Sequence, residues 1–180
     1  MDFFEKTIKT DRIYEGRVIN FRVDTVELPN GRTSSRELVE HPGGVGVVAV
    51  DKDGDLLLVE QFRKPYDKMI LEIPAGKMER GEDPELCGRR ELEEETGFTA
   101  GSFEFLGECY PSVGYTDEII RIFLAMDLKK TEQHPDEDEF LNIRKVPLEQ
   151  MYKRIMNNEI ADAKTVIGVL KAYIKLEAAK

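Results

Sequence analysis

The stretch from Ile70 to Phe98 constrains this chain more than any other. Ile70-Leu71-Glu72-Ile73 reads as a short strand that runs into Pro74-Ala75-Gly76. After a polar loop, Asp83 and Pro84 open a helix. The aspartate can accept from the first free N–H groups, and proline suits the first helical position. Gly97 closes the helix, because a left-handed C-terminal cap favours glycine. Within it Glu91 and Glu95 stand four residues apart on one face, with Glu94 beside them. Like charges at this spacing repel by roughly 0.2–0.5 kcal/mol per pair. They also lie near the helix C-terminus, where the dipole disfavours anions. Stability alone does not select that arrangement, whereas a divalent cation between the carboxylates reverses its sign. A solvated acidic face is the plain alternative from these residues alone.

The rest of the chain frames this helix with strands. Arg17–Leu28 alternates, Pro29-Asn30-Gly31-Arg32 signals a turn, and Arg36–Glu40 returns as a strand. Residues 1–42 therefore read as an N-terminal β-segment, too polar for a core of its own, and 43–180 as the main domain. Gly46–Val50 and Leu56–Phe62 are apolar runs around Asp53-Gly54, a strong hairpin signal. Phe103–Cys109 and Glu118–Leu128 read as further strands. Two helices follow, Leu148–Asn157 and one capped by Asp162, with Ala163, Val166, Ile167, Leu170 and Ile174 as its apolar stripe. The connections are too short for repeated βαβ crossovers, so the class is α+β, a mixed β-sheet between helices.

Composition removes several functions. The chain has 180 residues, 36 acidic and 26 basic side chains and a net charge of −10. That balance argues against nucleic-acid binding by phosphate neutralisation and against attraction to anionic membranes. No apolar run approaches the roughly 20 residues that span a bilayer, and no secretory signal is visible at the N-terminus. Cys87 and Cys109 are too few for a disulfide framework and fit reduced thiols in the cytoplasm. His41 and His134 lie far apart, so a metal here is expected on oxygen ligands. The excess charge is concentrated: residues 79–95 hold eight acids and three bases, and residues 132–139 hold five acids and no Lys or Arg.

The helix and its loop carry a longer pattern: Gly76, five residues, Glu82, seven residues, Arg90-Glu91-Leu92, one residue, Glu94-Glu95, one residue, Gly97-Phe98. This resembles the signature of the Nudix hydrolases, with every fixed position filled. The resemblance implies hydrolysis of a nucleoside diphosphate linked to another moiety, with magnesium or manganese as cofactor. It implies that Glu91, Glu94 and Glu95 are metal ligands, joined by the backbone carbonyl of Ala75. Arg90 and Glu82 would pair and orient those carboxylates.

Outside that pattern the chain is similar to the ADP-ribose pyrophosphatase branch. Arg36-Glu37-Leu38-Val39-Glu40-His41-Pro42-Gly43, Glu60-Gln61-Phe62-Arg63, Gly114-Tyr115-Thr116-Asp117-Glu118, Asp136-Glu137-Asp138-Glu139 and Asp162-Ala163-Lys164-Thr165 carry this likeness. It implies that Arg36 and Arg63 contact substrate through their planar donor forks, that Glu72 supports the substrate or metal site, and that Phe21 or Tyr14 stacks on a base, with core or hairpin packing the plain alternative for either ring. It also implies that the acidic loop closes over the substrate, with Glu137 as base and Glu139 linked to metal. A homodimer in which the N-terminal segments exchange is implied as well. Members specific for ADP-ribose carry a proline where this sequence has Val113. Another nucleoside diphosphate sugar or a dinucleotide is therefore the alternative substrate, and a non-catalytic nucleotide sensor the more distant one.

Overall fold

The computed structural model describes residues 3–134 and 140–178. Contacts divide the chain into two compact units. One comprises Met1–Gly43 with Tyr110–Ile119, and the other Gly44–Cys109 with Ile120–Lys180.

The first unit is built on an antiparallel sheet in the order β1 (Lys6–Glu15), β2 (Asn20–Glu27), β3 (Thr33–Glu40). The expected turn joins β2 to β3: the Leu28 N–H donates to the Arg32 carbonyl, and Gly31 takes φ +78°. β1 is a strand that the sequence did not single out. All but one of its residues are exposed, so no alternation marks it. The segment from Tyr110 to Ile119 docks on β3, where Val39 N–H donates to the Tyr115 carbonyl and Asp117 N–H to the Val39 carbonyl.

The second unit holds the sheet that matters for the site. Its path is β10 (Leu141–Pro147), β5 (Asp55–Arg63), β4 (Gly44–Val50), β9 (Ile120–Lys130), β8 (Phe98–Cys109). β6 (Lys68–Glu72) pairs with β5, and β7 (Ala75–Lys77) with β4. β4 runs parallel to β9 while the other pairings are antiparallel, so the sheet is mixed, as expected. Every residue of β4 is buried because both sheet faces are covered. Val48 and Val50, with Leu56, Leu58, Ile122 and Leu124, meet α2 (Leu148–Met156) and α3 (Ala163–Ala178). Val45, Val47 and Ala49, with Leu57, Phe123 and Ala125, meet α1 (Pro84–Thr96) through Cys87 and Leu92.

The apolar stripe expected on α3 is corrected. Its buried face is Lys164, Thr165, Gly168, Val169 and Ala172, while Ile174 is 65% exposed. Gly168 is the reason. A Cβ there would lie 2.8 Å from Val48 Cγ2 and 3.1 Å from Ile122 Cγ2, so the helix lies on the sheet along its smallest residue. Val166, Ile167 and Leu170 pack on the flanks of that contact.

Gly88 has a similar explanation within α1. A Cβ would meet Val45 Cγ1 at 2.9 Å and Phe103 Cζ at 3.0 Å. Helix propensity is sacrificed there for close approach to the sheet.

Candidate active site

α1 forms as its end signals dictate. Asp83 accepts from the N–H groups of Glu85 and Leu86 at 2.9 and 3.2 Å, and Gly97 takes φ +68° with its N–H on the Glu93 carbonyl. The face turned inward is not wholly apolar. Cys87, Gly88 and Leu92 share it with Glu91 and Glu95, which are 8% and 1% exposed. The solvated-face alternative therefore fails for these two carboxylates.

What they face is the backbone of β7. β5 and β4 pair only at Ala49–Leu57 and Val50–Leu56, and β7 pairs with β4 at Gly44–Gly46. That sets Ala75 and Gly76 beneath the helix. Ala75 N–H donates to Glu95 Oε2 at 2.8 Å. A Cβ on Gly76 would lie within 1.9–2.2 Å of the Glu91 carboxyl atoms, so that carboxylate fills the place a side chain would take. Two hard-oxygen groups thus crowd onto one loop backbone at the end of a sheet. Their chemistry and the glycine cradle fit a small divalent cation.

Arg90 ties the neighbouring acids together. Its Nε and Nη2 donate to Glu82 at 3.0 and 3.2 Å, and Nη1 lies 2.8 Å from both Glu91 Oε1 and Glu94 Oε2. Hydrogen bonding from Arg90 holds the Glu82 carboxyl down at about 2. The reciprocal bonds, Glu82 foremost, push the Arg90 guanidinium pKa upward. Burial, with the nearby Glu82 charge, raises the Cys87 thiol to about 12, so it stays protonated and unreactive. Glu94 is half-buried and engaged by Arg90. Among the described residues, no three His, Cys, Asp or Glu side chains are grouped to hold an ion.

A second polar cluster lies at the end of β6. Arg63 Nε and Nη2 donate to the two oxygens of Glu72, both at 2.7 Å. Glu72 is 2% exposed and also takes a short hydrogen bond from Lys164 Nζ. Lys164 reaches both Asp162 oxygens at 3.1 Å. Asp162 in turn accepts from the Thr165 hydroxyl at 2.6 Å, and Thr165 Oγ1 accepts from Ile73 N–H at 2.9 Å. Burial works to raise the Glu72 pKa, but Arg63 and Lys164 overcome it and hold the carboxyl below its usual range.

Arg36 and Phe21 belong to the other compact unit. Arg36 donates through Nε and Nη2 to Glu5 at 2.8 and 2.5 Å, and Phe21 is paired across the sheet with Val39 and Tyr14. Glu137 and Glu139 lie outside the described residues. Lys164 was not singled out from sequence as a site residue, because a lone lysine near a helix start carries no signal of burial.

A model of the NUDIX domain matches residues 40–166. This chain belongs to the Nudix family. A nucleoside diphosphate sugar hydrolase N-terminal domain matches residues 5–39 of the Nudix chain. It is 48% identical to a methanol dehydrogenase activator of Bacillus methanolicus, over 98% of its own length and 96% of the relative's. It is 47% identical to an ADP-ribose pyrophosphatase of Bacillus subtilis, over 97% and 95% of the two lengths. A crystal structure described as an ADP compounds hydrolase superposes with a TM-score of 0.86 over 97% of this chain and 95% of that one, at 22% identity, which supports the fold. The α+β class and the family expected from the glutamate pattern are both borne out, and divalent-metal dependence is typical of the family.

Proposed function

We propose that this Nudix chain hydrolyses the pyrophosphate bond of ADP-ribose to AMP and ribose 5-phosphate, using magnesium or manganese. The observation that carries this reading is the pair of buried carboxylates, Glu91 and Glu95, packed on the Ala75–Gly76 backbone. The name of the Bacillus subtilis relative supports the substrate. Glu91 and Glu95, with the Ala75 carbonyl and Glu94, would hold the ion. When bound, it offsets the charge of the pyrophosphate and acidifies water.

The chain's own groups do the rest. Arg90 orients Glu91 and Glu94 while Glu82 fixes Arg90. Arg63, anchored by Glu72, offers a fork to anionic oxygens, and Arg36 would do so by exchanging the Glu5 carboxylate that it holds. Phe21 offers a ring face to the base. Glu137 accepts the proton of the attacking water, and Glu139 completes the metal site. The exposed side chains of Ile8, Ile13 and Tyr14 on β1, at 55%, 60% and 58%, support a homodimer through the N-terminal sheet. Reduced thiols at Cys87 and Cys109 would suit the cytoplasm.

Product formation from ADP-ribose, ADP-glucose and GDP-mannose, with magnesium and with a chelator, tests the assignment. ADP-ribose cleaved best, and only with metal, is the expected result. Equal cleavage of all three would favour a broader nucleoside diphosphate sugar hydrolase, the reading that Val113 motivates.

A further inference from the structure

Lys164 stands where stability argues against a lysine. It is the second residue of α3, at the end of the helix whose dipole disfavours cations, and its side chain is 10% exposed. Its stem runs along the sheet, with Cδ 3.8 Å from where a Gly46 Cβ would be, so its course is fixed by packing. Its ammonium meets two carboxylates, Glu72 and Asp162. Buried ion networks of this kind are often no more stable than apolar replacements, so a role in fixing geometry is the better account of this one.

The geometry continues outward. Glu72 Oε2 is shared between Lys164 and Arg63 Nη2, and Glu72 Oε1 receives Arg63 Nε. The Arg63 side chain remains 39% exposed, unlike the two groups behind it. Lys164, Glu72 and Arg63 thus form a rank from core to surface that ends in a planar donor fork.

We propose that Lys164 is a positioning residue for substrate binding. It pins the Glu72 carboxylate, which holds the Arg63 guanidinium in one orientation for an anionic oxygen of a nucleoside diphosphate sugar. This rests on the proposed role of Arg63 in binding substrate. Removing Lys164 lets the Glu72–Arg63 pair rotate as a unit, so binding weakens while the groups that act on water are untouched. Loss of such uniform binding raises KM and leaves kcat in place. A merely structural lysine would behave otherwise: fewer folded molecules lower apparent kcat at constant KM.

The test compares Lys164→Met with the double variant Lys164→Met, Asp162→Asn. The double variant removes one charge of each sign, and asparagine still caps α3, so it decides the matter if the single variant does not fold. KM is expected to rise about tenfold in the double variant, the scale of one charge-assisted hydrogen bond, with kcat within about twofold. The dissociation constant for the same substrate, measured by calorimetry in chelator, should rise in parallel. Both constants are measured with whichever of ADP-ribose, ADP-glucose and GDP-mannose the wild type cleaves best. Failure of the ADP-ribose assignment is then seen in the wild type, separately from failure of the positioning role. A KM and dissociation constant unchanged in the double variant, or a fall in kcat alone, would overturn the proposal.

Discussion

Arg90 spans both oxygens of Glu82 through Nε and Nη2, joining the loop before α1 to the middle of that helix. The same loop is drawn in further by the Glu79 N–H, which donates to Glu82 Oε2 at 2.9 Å. Glu82 is therefore an ionised carboxylate in the fold, with its pKa near 2 against an ordinary value of 4.5. A depressed folded-state pKa contributes stability that is complete above about 4.5 and is lost as pH falls toward about 2. Replacing Glu82 by Gln should cost roughly 1–2 kcal/mol at neutral pH, after allowance for solvent screening. Melting curves in chelator should show the gap between variant and wild type holding down to about pH 4.5 and narrowing below it. A gap that stays constant to pH 3 would contradict the ion pair.

Gly76→Ala separates activity from stability. The added methyl would fall on the Glu91 carboxyl group, the far end of a flexible side chain, which can swing aside. The melting temperature should change by only a few degrees, on the order of 1 kcal/mol. Metal-dependent turnover should drop by about a hundredfold because the displaced carboxylate is one of the proposed ligands. Retained turnover would show that Glu91 need not occupy that cradle.

Gly168→Ala has the opposite pattern. Helix propensity favours alanine by about 1 kcal/mol. The methyl, however, meets Val48, Ile122 and Ile73, which are all fully buried and have nowhere to move. Overpacking of that kind costs about 1–3 kcal/mol, so a net loss of roughly 1 kcal/mol is expected. Denaturant unfolding would check it, and a stabilised variant would mean that α3 can lift from the sheet at little cost.

Glu95→Gln keeps an acceptor for the Ala75 N–H, so the loop should stay in place. The charge is lost, and turnover should fall a hundredfold or more, on the order of 3 kcal/mol in the barrier. Hydrolysis at the wild-type rate would remove Glu95 from the metal site.

Local signals were legible in the sequence and distant partners were not. Asp83 and Gly97 bound α1 as their types require, and Gly54 takes φ +82° in the expected hairpin turn. The order of strands and helices, with connections too short for repeated crossovers, implies a mixed sheet between helices, and β4 and much of β5 are buried within it. On α3 the expected stripe is offset from the buried face: Val166, Ile167 and Leu170 do pack on the core, but hydrophobicity ranks Ile174 above Gly168, while the sheet selects for close approach. β1 gave no signal because its residues are exposed on both sides. In the site, the acids of α1 announced themselves by their spacing. The pinning of Arg63 did not, since it depends on Glu72 and Lys164, residues 92 positions apart.

The hydroxyl of Thr165 holds the N–H of Ile73 across 92 positions of sequence. A ribosome delivers those two residues in order, the strand first and its anchor much later. When Glu95 has been added, the nascent chain already contains Ala75, Gly76, Glu82, Arg90 and Glu91. Ile73, at the end of the strand leading into that loop, lacks this anchor until α3 begins to emerge. Hydrolytic competence should therefore appear late in translation, and a chain cut short before Thr165 should carry the full glutamate pattern and cleave nothing.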